Sequence, residues 1–230
     1  AFIGDNYIQI IINGEVNEFV QGYRTVYSLP IKQSAHIMFN PNMTSVWFGS
    51  VMELMNVITM ISIILTGAAV IREREHGTLE HLLVMPLSPF EIVMAKIWAN
   101  GLVILLLTAF SLFIVIEGLL QVPIHGSPGL FLFGVAIHLF ATTSLGILLG
   151  TQARTMPQLG LLMILILLPL QMLSGGVTPR ESMPEVVQNI MLLAPTTHFV
   201  KFAQAILYRG AGWDVVWPYF LALTVIGSVF

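Results

Sequence analysis

Residues 46–71, "VWFGSVMELMNVITMISIILTGAAVI", carry a single charged side chain, Glu53. A helix rises about 1.5 Å per residue, so about 20 apolar residues are needed to cross a hydrocarbon layer about 30 Å thick. This run is long enough. Four further runs, at about 97–117, 130–150, 156–174 and 214–230, meet or approach the same requirement. They predict an all-α polytopic membrane protein with five visible transmembrane helices. Composition agrees, with 56% hydrophobic residues, 9% charged residues and a mean hydropathy of +0.87. A soluble domain carries about 25% charged residues, and this chain could not cover its own surface with polar groups. The net charge of −3 shows no basic excess, which argues against a nucleic-acid partner. With no cysteine, the chain has no disulfide and no thiolate metal site.

Ahead of the first span, residues 1–42 are mixed and polar. "YIQIIINGEVNEF" puts β-type residues on both sides of Asn13-Gly14, a hairpin signal. The expectation is a small, partial α+β extracytoplasmic domain over 1–42, followed by a transmembrane domain over 43–230. The opening residues have no charged stretch or cleavage site of a signal peptide, and the chain stops inside an apolar run. Both ends read as those of a fragment.

Charge is scarce, so its clustering in "IREREHGTLEHLLVMPLSPFEIVMAK" (71–96) is informative. Arg72, Glu73, Arg74 and Glu75 cannot lie in hydrocarbon, where a central Arg costs at least about 2.5 kcal/mol. They mark a membrane surface. Gly77 can supply the left-handed residue that ends the emerging helix. "TLEHLLVMP" then reads as a two-turn helix with Leu79, Leu82 and Leu83 on one side, ended by Pro86. Ser88-Pro89-Phe90-Glu91 is a capping box that starts the returning helix through Lys96. A helix resting on lipid headgroups is one reading of this loop. The mixed charge favours a handle for a protein partner, since headgroup-binding helices are rich in Lys and Arg. If 72–96 faces the cytoplasm, Arg72, Arg74, Lys96 and Arg154 lie on that side in short loops, in keeping with a positive-inside arrangement.

Two shorter helices are expected between the last spans, at about 183–208. Ser182-Met183-Pro184-Glu185 has the form of a capping box opening the first, which Pro195 ends. The second, at about 197–208, carries Phe199, Val200, Ala203, Ile206 and Leu207 on one side and closes at Gly210. Lengths of 10 to 14 residues suit re-entrant or external helices rather than spans.

The segment 71–96 resembles the cytoplasmic loop of bacterial ABC-2-type permeases, with its acidic-basic run followed by E-x-G-T-x-E-x-L-x-x-x-P. "FNPN" at 39–42 and "LSGGVTPRESMPEVVQNIMLLAPTTHF" at 173–199 resemble segments of the same family, in the same order. The resemblance implies six spans per subunit, with one expected upstream of Ala1. It implies the permease subunit of a multidrug-type exporter in the bacterial inner membrane. Its expected partners are a cytoplasmic ATPase that holds ATP and Mg²⁺, a second permease (an identical copy or a paralogue), and a periplasmic adaptor. Membrane lipids surround it. Gly77, Thr78, Glu80, Leu82, Leu83 and Pro86 match the coupling-helix motif, and Arg72, Glu73 and Glu75 precede it.

The chain carries little chemistry of its own. It has no G-x-x-x-x-G-K-[ST], so it cannot hydrolyse ATP by a P-loop mechanism, and it has no H-E-x-x-H. His76 and His81 are not spaced to share a helical face, and no metal site is predicted. Polar residues within the spans are costly and usually face a bundle interior or a cavity. Glu53, Asn56, Asn100 and His138 are therefore candidates for a transport path. The alternatives are interfacial solvation for Glu53, near an external end as is Glu117, and a His138 imidazole satisfied by a neighbouring helix. Gly134, His138, Thr142, Gly146 and Gly150 recur at every fourth residue, a small-residue stripe for close helix packing within the subunit or at a dimer seam. Pro169 should kink its span. The resulting reading is an exporter of drug-like or amphipathic compounds. Export of a lipid-linked glycan, a membrane scaffold that docks a partner but moves nothing, and an intramembrane hydrolase using Ser174 remain as alternatives.

Overall fold

The structure is a computed structural model that describes residues 45–77, 88–178 and 180–230, together with Ile12, Val16, Phe19 and Val20. The chain divides into two compact units, Ala1–Met38 and Phe39–Phe230. In the first unit, Ile12, Val16, Phe19 and Val20 are helical and exposed. Their spacing of four, three and one is the period of an apolar helix stripe, which competes with the Asn-Gly turn signal. The β reading of this segment is therefore not supported at these residues. Asn13 and Gly14 themselves lie outside the described residues.

The described residues of the second unit form helices joined by loops, with no strand among them. Helix α1 (Ser45–Glu75) is followed by α2 (Pro89–Phe110), which continues without a break as a π-helical segment, Ser111–Leu119. Then come α3 (Pro128–Gln152), α4 (Met156–Met172), α5 (Glu185–Ile190), α6 (Pro195–Leu207) and α7 (Trp213–Val229). Among the described residues, three helices are long and apolar enough to cross a membrane: Gly49–Glu75, Phe90–Leu119 and Pro128–Gln152. The other two expected spans are the 17-residue helices α4 and α7. At about 1.5 Å per residue these reach about 26 Å, short of a full hydrocarbon layer unless it thins or their ends snorkel. Five full-length spans are thus not established. For α4 the cause is local: Pro169 lacks an N–H, and the helix ends at Met172.

The helix starts follow local chemistry. Ser88 caps α2 in a reciprocal box in which Glu91 N–H donates to Ser88 Oγ (3.3 Å) and Ser88 N–H donates to Glu91 Oε2 (2.7 Å). Ser127 and Thr155 cap α3 and α4, each ahead of a proline in the first turn. The box expected at Ser182 does not form. Instead α5 begins at Glu185, with Pro184 in the cap position and no side-chain bond to the cap. Pro195 forces Ala194 into an extended conformation (φ −85°, ψ 127°). The 185–193 and 195–207 pieces consequently bend by 90°, as a broken span or a re-entrant pair does. Gly210, at φ +65°, closes α6.

Helix α3 is apolar on every side and is the hub, packing against α1, α2, α6 and α7. Around its first half a cluster of Phe131, Phe199, Phe202 and Phe220 joins it to α6 and α7, with ring centroids 5.1–6.5 Å apart. Around its second half, Leu145 and Leu149 join Ile63 and Ile71 of α1 and Leu159 and Met163 of α4. In contrast, α2 leaves Trp98, Leu102, Leu106 and Phe110 exposed, an outward face suited to lipid.

Candidate functional site

Two features of this bundle bear on function: the seam between α1 and α3, with the charged end of α1 below it, and a groove between α1 and α4.

The seam is built from small residues on both helices. A Cβ on Gly146 would lie 2.7 Å from the Ile63 carbonyl oxygen, and one on Gly150 would lie 2.9 Å from that of Gly67. Only glycine permits the approach. Hydroxyls stitch the same surface. Thr59 donates to the carbonyl of Met55 (3.0 Å), so its oxygen can accept from His138 Nε2 at 2.9 Å. This assigns the ring hydrogen to Nε2. Thr142 donates to the carbonyl of His138 (3.0 Å) and accepts from Ser62 at 2.8 Å. Thr66 donates to the carbonyl of Ser62 (2.7 Å) and receives a longer contact, 3.5 Å, from Asn100 Nδ2 of α2. Thr59, Thr142 and Thr66 each donate once and accept once, Ser62 has the Thr59 carbonyl at 2.9 Å as a second acceptor for its hydrogen, and His138 Nδ1 is buried without a hydrogen-bond partner. Interhelical bonds of this kind contribute about 0.6 kcal/mol on average.

His138 is fully buried and stacks on Phe199, with centroids 3.9 Å apart and planes 20° from parallel. It bridges α1 and α6. Replacing Thr59 by Val leaves Nε2–H without an acceptor and should cost about 1–3 kcal/mol, whereas Thr59→Ser should be nearly neutral. Thermal unfolding of the two variants in detergent distinguishes them. Equal melting temperatures would mean that the bond contributes nothing.

The stripe on α3 does not serve one neighbour. Thr142, Gly146 and Gly150 face α1, but a Cβ on Gly134 would meet Phe202 and Phe220 at 2.6 and 2.7 Å. Four residues turn a helix by about 400°, so the stripe drifts about 40° at each step, and its partner changes between Gly134 and Thr142. Thr142, Gly146 and Gly150 thus lie against α1, and Gly134 against α6 and α7.

At the charged end, α1 continues a full turn past Ile71. With 31 residues it is about 46 Å long, well beyond a hydrocarbon layer. Gly77, at φ +69°, ends it. Arg72 and Glu75 are exposed, and the carbonyl of Arg72 accepts from His76 Nδ1 at 2.8 Å. Glu73 is half-buried and forms an ion pair with Lys96 of α2. Arg74 donates through Nη1 to the carbonyl of Ala153, at the end of α3, at 2.6 Å. Thr78, Glu80, Leu82, Leu83 and Pro86 lie outside the described residues.

The groove between α1 and α4 has a volume of about 470 Å³. Its apolar walls include Met60 and Ile64 on α1 and Leu159, Met163 and Leu167 on α4; Gln171 lies at one end. None of Glu53, Asn56, Asn100 and His138 lines it. Glu53 is exposed, and the backbone carbonyl of Asn56 accepts a 3.5 Å contact from Gln171. The sequence reading missed this groove because its walls are ordinary apolar residues. It missed the Thr59, Ser62 and Thr66 row as well, although hydroxyls at spacings of three and four in an apolar span are a legible signal. Among the described residues no group of His, Asp and Glu is arranged to hold a metal ion.

A bundle with long apolar helices, a hydroxyl-stitched seam and an apolar groove is that of an integral membrane protein of several passes. Residues 6–208 match the ABC-2 type transporter family. The chain is 63% identical over its whole length to the inner membrane transport permease YhhJ of Escherichia coli (strain K12), of which it covers 62%. It is 32% identical over 98% of its length to the probable multidrug ABC transporter permease YbhR of the same organism, covering 61% of that protein. It is 31% identical over 75% of its length to the probable multidrug ABC transporter permease YbhS, covering 46%. The chain belongs to the ABC-2 type transporter permease family and is a multi-pass protein of the inner membrane. It spans less than two thirds of the length of these relatives.

Proposed function

We propose that this chain is the membrane-spanning core of an ATP-driven exporter of drug-like or amphipathic compounds. ATP and Mg²⁺ are held by a partner ATPase on the cytoplasmic side, and a second permease completes the transport path. A periplasmic adaptor fits the same scheme as a further partner. The ATPase docks on 72–96, with Thr78, Glu80, Leu82, Leu83 and Pro86 at the contact and Arg72, Glu73, Glu75 and Gly77 as its stem.

One observation carries the reading: α1 is a single unbroken helix from the groove wall at Met60 and Ile64 to the charged stem at Glu75. A push on the segment after Gly77 therefore acts on a lever about 16 Å long between Ile64 and Glu75. The hydroxyl and glycine seam obliges α3 to move with it, while α4 meets α1 through the ends of the Leu159 and Met163 side chains beside the groove, a contact that can slide. ATP-driven closure of the partner would tilt α1 and α3 against α4 and reshape the groove, an alternating-access motion by rigid bodies. The lining suits an apolar or amphipathic solute, with Gln171 as its polar contact, and carries no ring of charge for a strongly ionic cargo. The names of YbhR and YbhS point to the same substrate class.

Reconstitution of the full-length permease with its ATPase tests the proposal. Substrate-stimulated ATP hydrolysis and accumulation of an amphipathic dye in inverted vesicles are expected. Glu80→Ala should lower dye transport at least tenfold and leave the fold unchanged by circular dichroism. Full transport and full ATPase stimulation in that variant would refute the coupling role.

A further inference from the structure

Beyond Ile71, which is fully buried, no apolar side chain holds α1 to its neighbours: residues 72–77 are Arg-Glu-Arg-Glu-His-Gly. Among the described residues, contacts of Arg74 and Glu73 hold it instead. Arg74 reaches the end of α3, where Nη1 donates to the Ala153 carbonyl at 2.6 Å and Nη2 approaches that of Thr151 at 3.4 Å. These carbonyls form the negative pole of the α3 dipole, where a guanidinium is favoured by about 0.3–1 kcal/mol. One residue earlier, Glu73 pairs with Lys96, about two turns into α2, and the two side chains are 27% and 18% exposed. Partial burial screens such a pair less than a surface pair. In sequence, 78–87 joins α1 to α2, and these contacts hold the described residues on either side of it, Arg74 to α3 and Lys96 to α1.

We infer that Arg74 and Lys96 are positioning residues for coupling, holding the ends of α1, α2 and α3 as one body so that force on 78–87 moves the helices. Neither belongs to the coupling motif, and neither needs to touch the ATPase. The inference rests on the exporter reading, because it concerns how that push is transmitted. Without the clasp, the last turn of α1 is free to fray, and a displacement applied beyond Gly77 is absorbed there.

The chain has no cysteine, so pairs of spin labels can be placed at will. Labels at Leu65→Cys on α1 and Leu161→Cys on α4, in the full-length permease purified with its ATPase, report the groove. Both residues are exposed. ATP with Mg²⁺ should shift this distance in the parent. In Arg74→Gln and in Lys96→Gln the ATP-driven shift should fall at least threefold. The distance without ATP, the melting temperature and co-purification with the ATPase should stay as in the parent. Arg74→Lys, which keeps a donor for Ala153, should restore most of the shift. A merely structural role would instead change the resting distance or the melting temperature. A full ATP-driven shift in both variants overturns the inference and leaves the exporter reading standing. A parent that shows no ATP-driven shift and no dye transport, with an active ATPase bound, overturns the exporter reading and the clasp's transmitting role together.

Discussion

Gly146→Leu is expected to abolish accumulation of folded permease. The first added carbon would sit 2.7 Å from the Ile63 carbonyl oxygen and 3.1 Å from Thr66 Cβ, against the backbone of α1 rather than the tip of a flexible side chain. The helix cannot retreat without breaking the Ser62–Thr142 bond and parting Gly150 from Gly67, which pack in the same seam. Overpacking a tight core costs about 1–3 kcal/mol, and a rigid backbone contact places this site at or above the upper end. Gly101→Leu, on α2, is the control, because nothing lies within 4 Å of a Cβ there. Size-exclusion profiles of tagged variants in detergent check the pair. A monodisperse Gly146→Leu protein with the parent's melting temperature would mean that the seam is not tightly packed.

The second large effect concerns activity without loss of fold. Gly160 lines the groove between α1 and α4, and a Cβ there meets no atom within 4 Å. Gly160→Trp should therefore be tolerated by the bundle, since an indole fits within the groove's volume of about 470 Å³. It would occupy the space that α1 needs to move against α4 and that an apolar solute would enter. Transport of an amphipathic dye should fall at least tenfold, with Gly160→Ala close to the parent. A Gly160→Trp permease that transports at the parental rate would remove the groove from the pathway. The same substitution with normal ATPase stimulation but no transport would locate the block at the solute rather than at the helix motion.

These two glycines show where sequence reading stops. Gly146 belongs to a visible fourfold stripe, and its packing role follows from residue type and spacing. Which helix it packs on does not, because a stripe of period four drifts around a helix of period 3.6 and can serve more than one partner. Gly160 stands in an apolar run with nothing to distinguish it. His138 illustrates the same limit. An ionisable residue in mid-span signals either a path or a buried bond, and the groups that meet it, a Thr one helix away and a Phe stacked from another, are 79 and 61 positions distant in the chain. Around Asn13-Gly14, which lies outside the described residues, a local turn signal competes with helical spacing in the apolar residues Ile12, Val16, Phe19 and Val20.

Local order was therefore legible from the chain alone. Apolar runs measured against a bilayer required spans, the REREHG block required a membrane surface, and Ser88, Gly77 and Pro195 placed helix starts, stops and a bend, each by chemistry confined to a few neighbouring residues. Partnership was settled only by the tertiary structure: Arg74 on the end of α3, Lys96 on Glu73, hydroxyls of α1 on α3, and an open groove beside α4. The reason is physical. A propensity or a cap acts over one helical turn, whereas lateral packing among apolar helices depends on side-chain shape and on polar contacts between residues far apart in sequence, which hydropathy does not record.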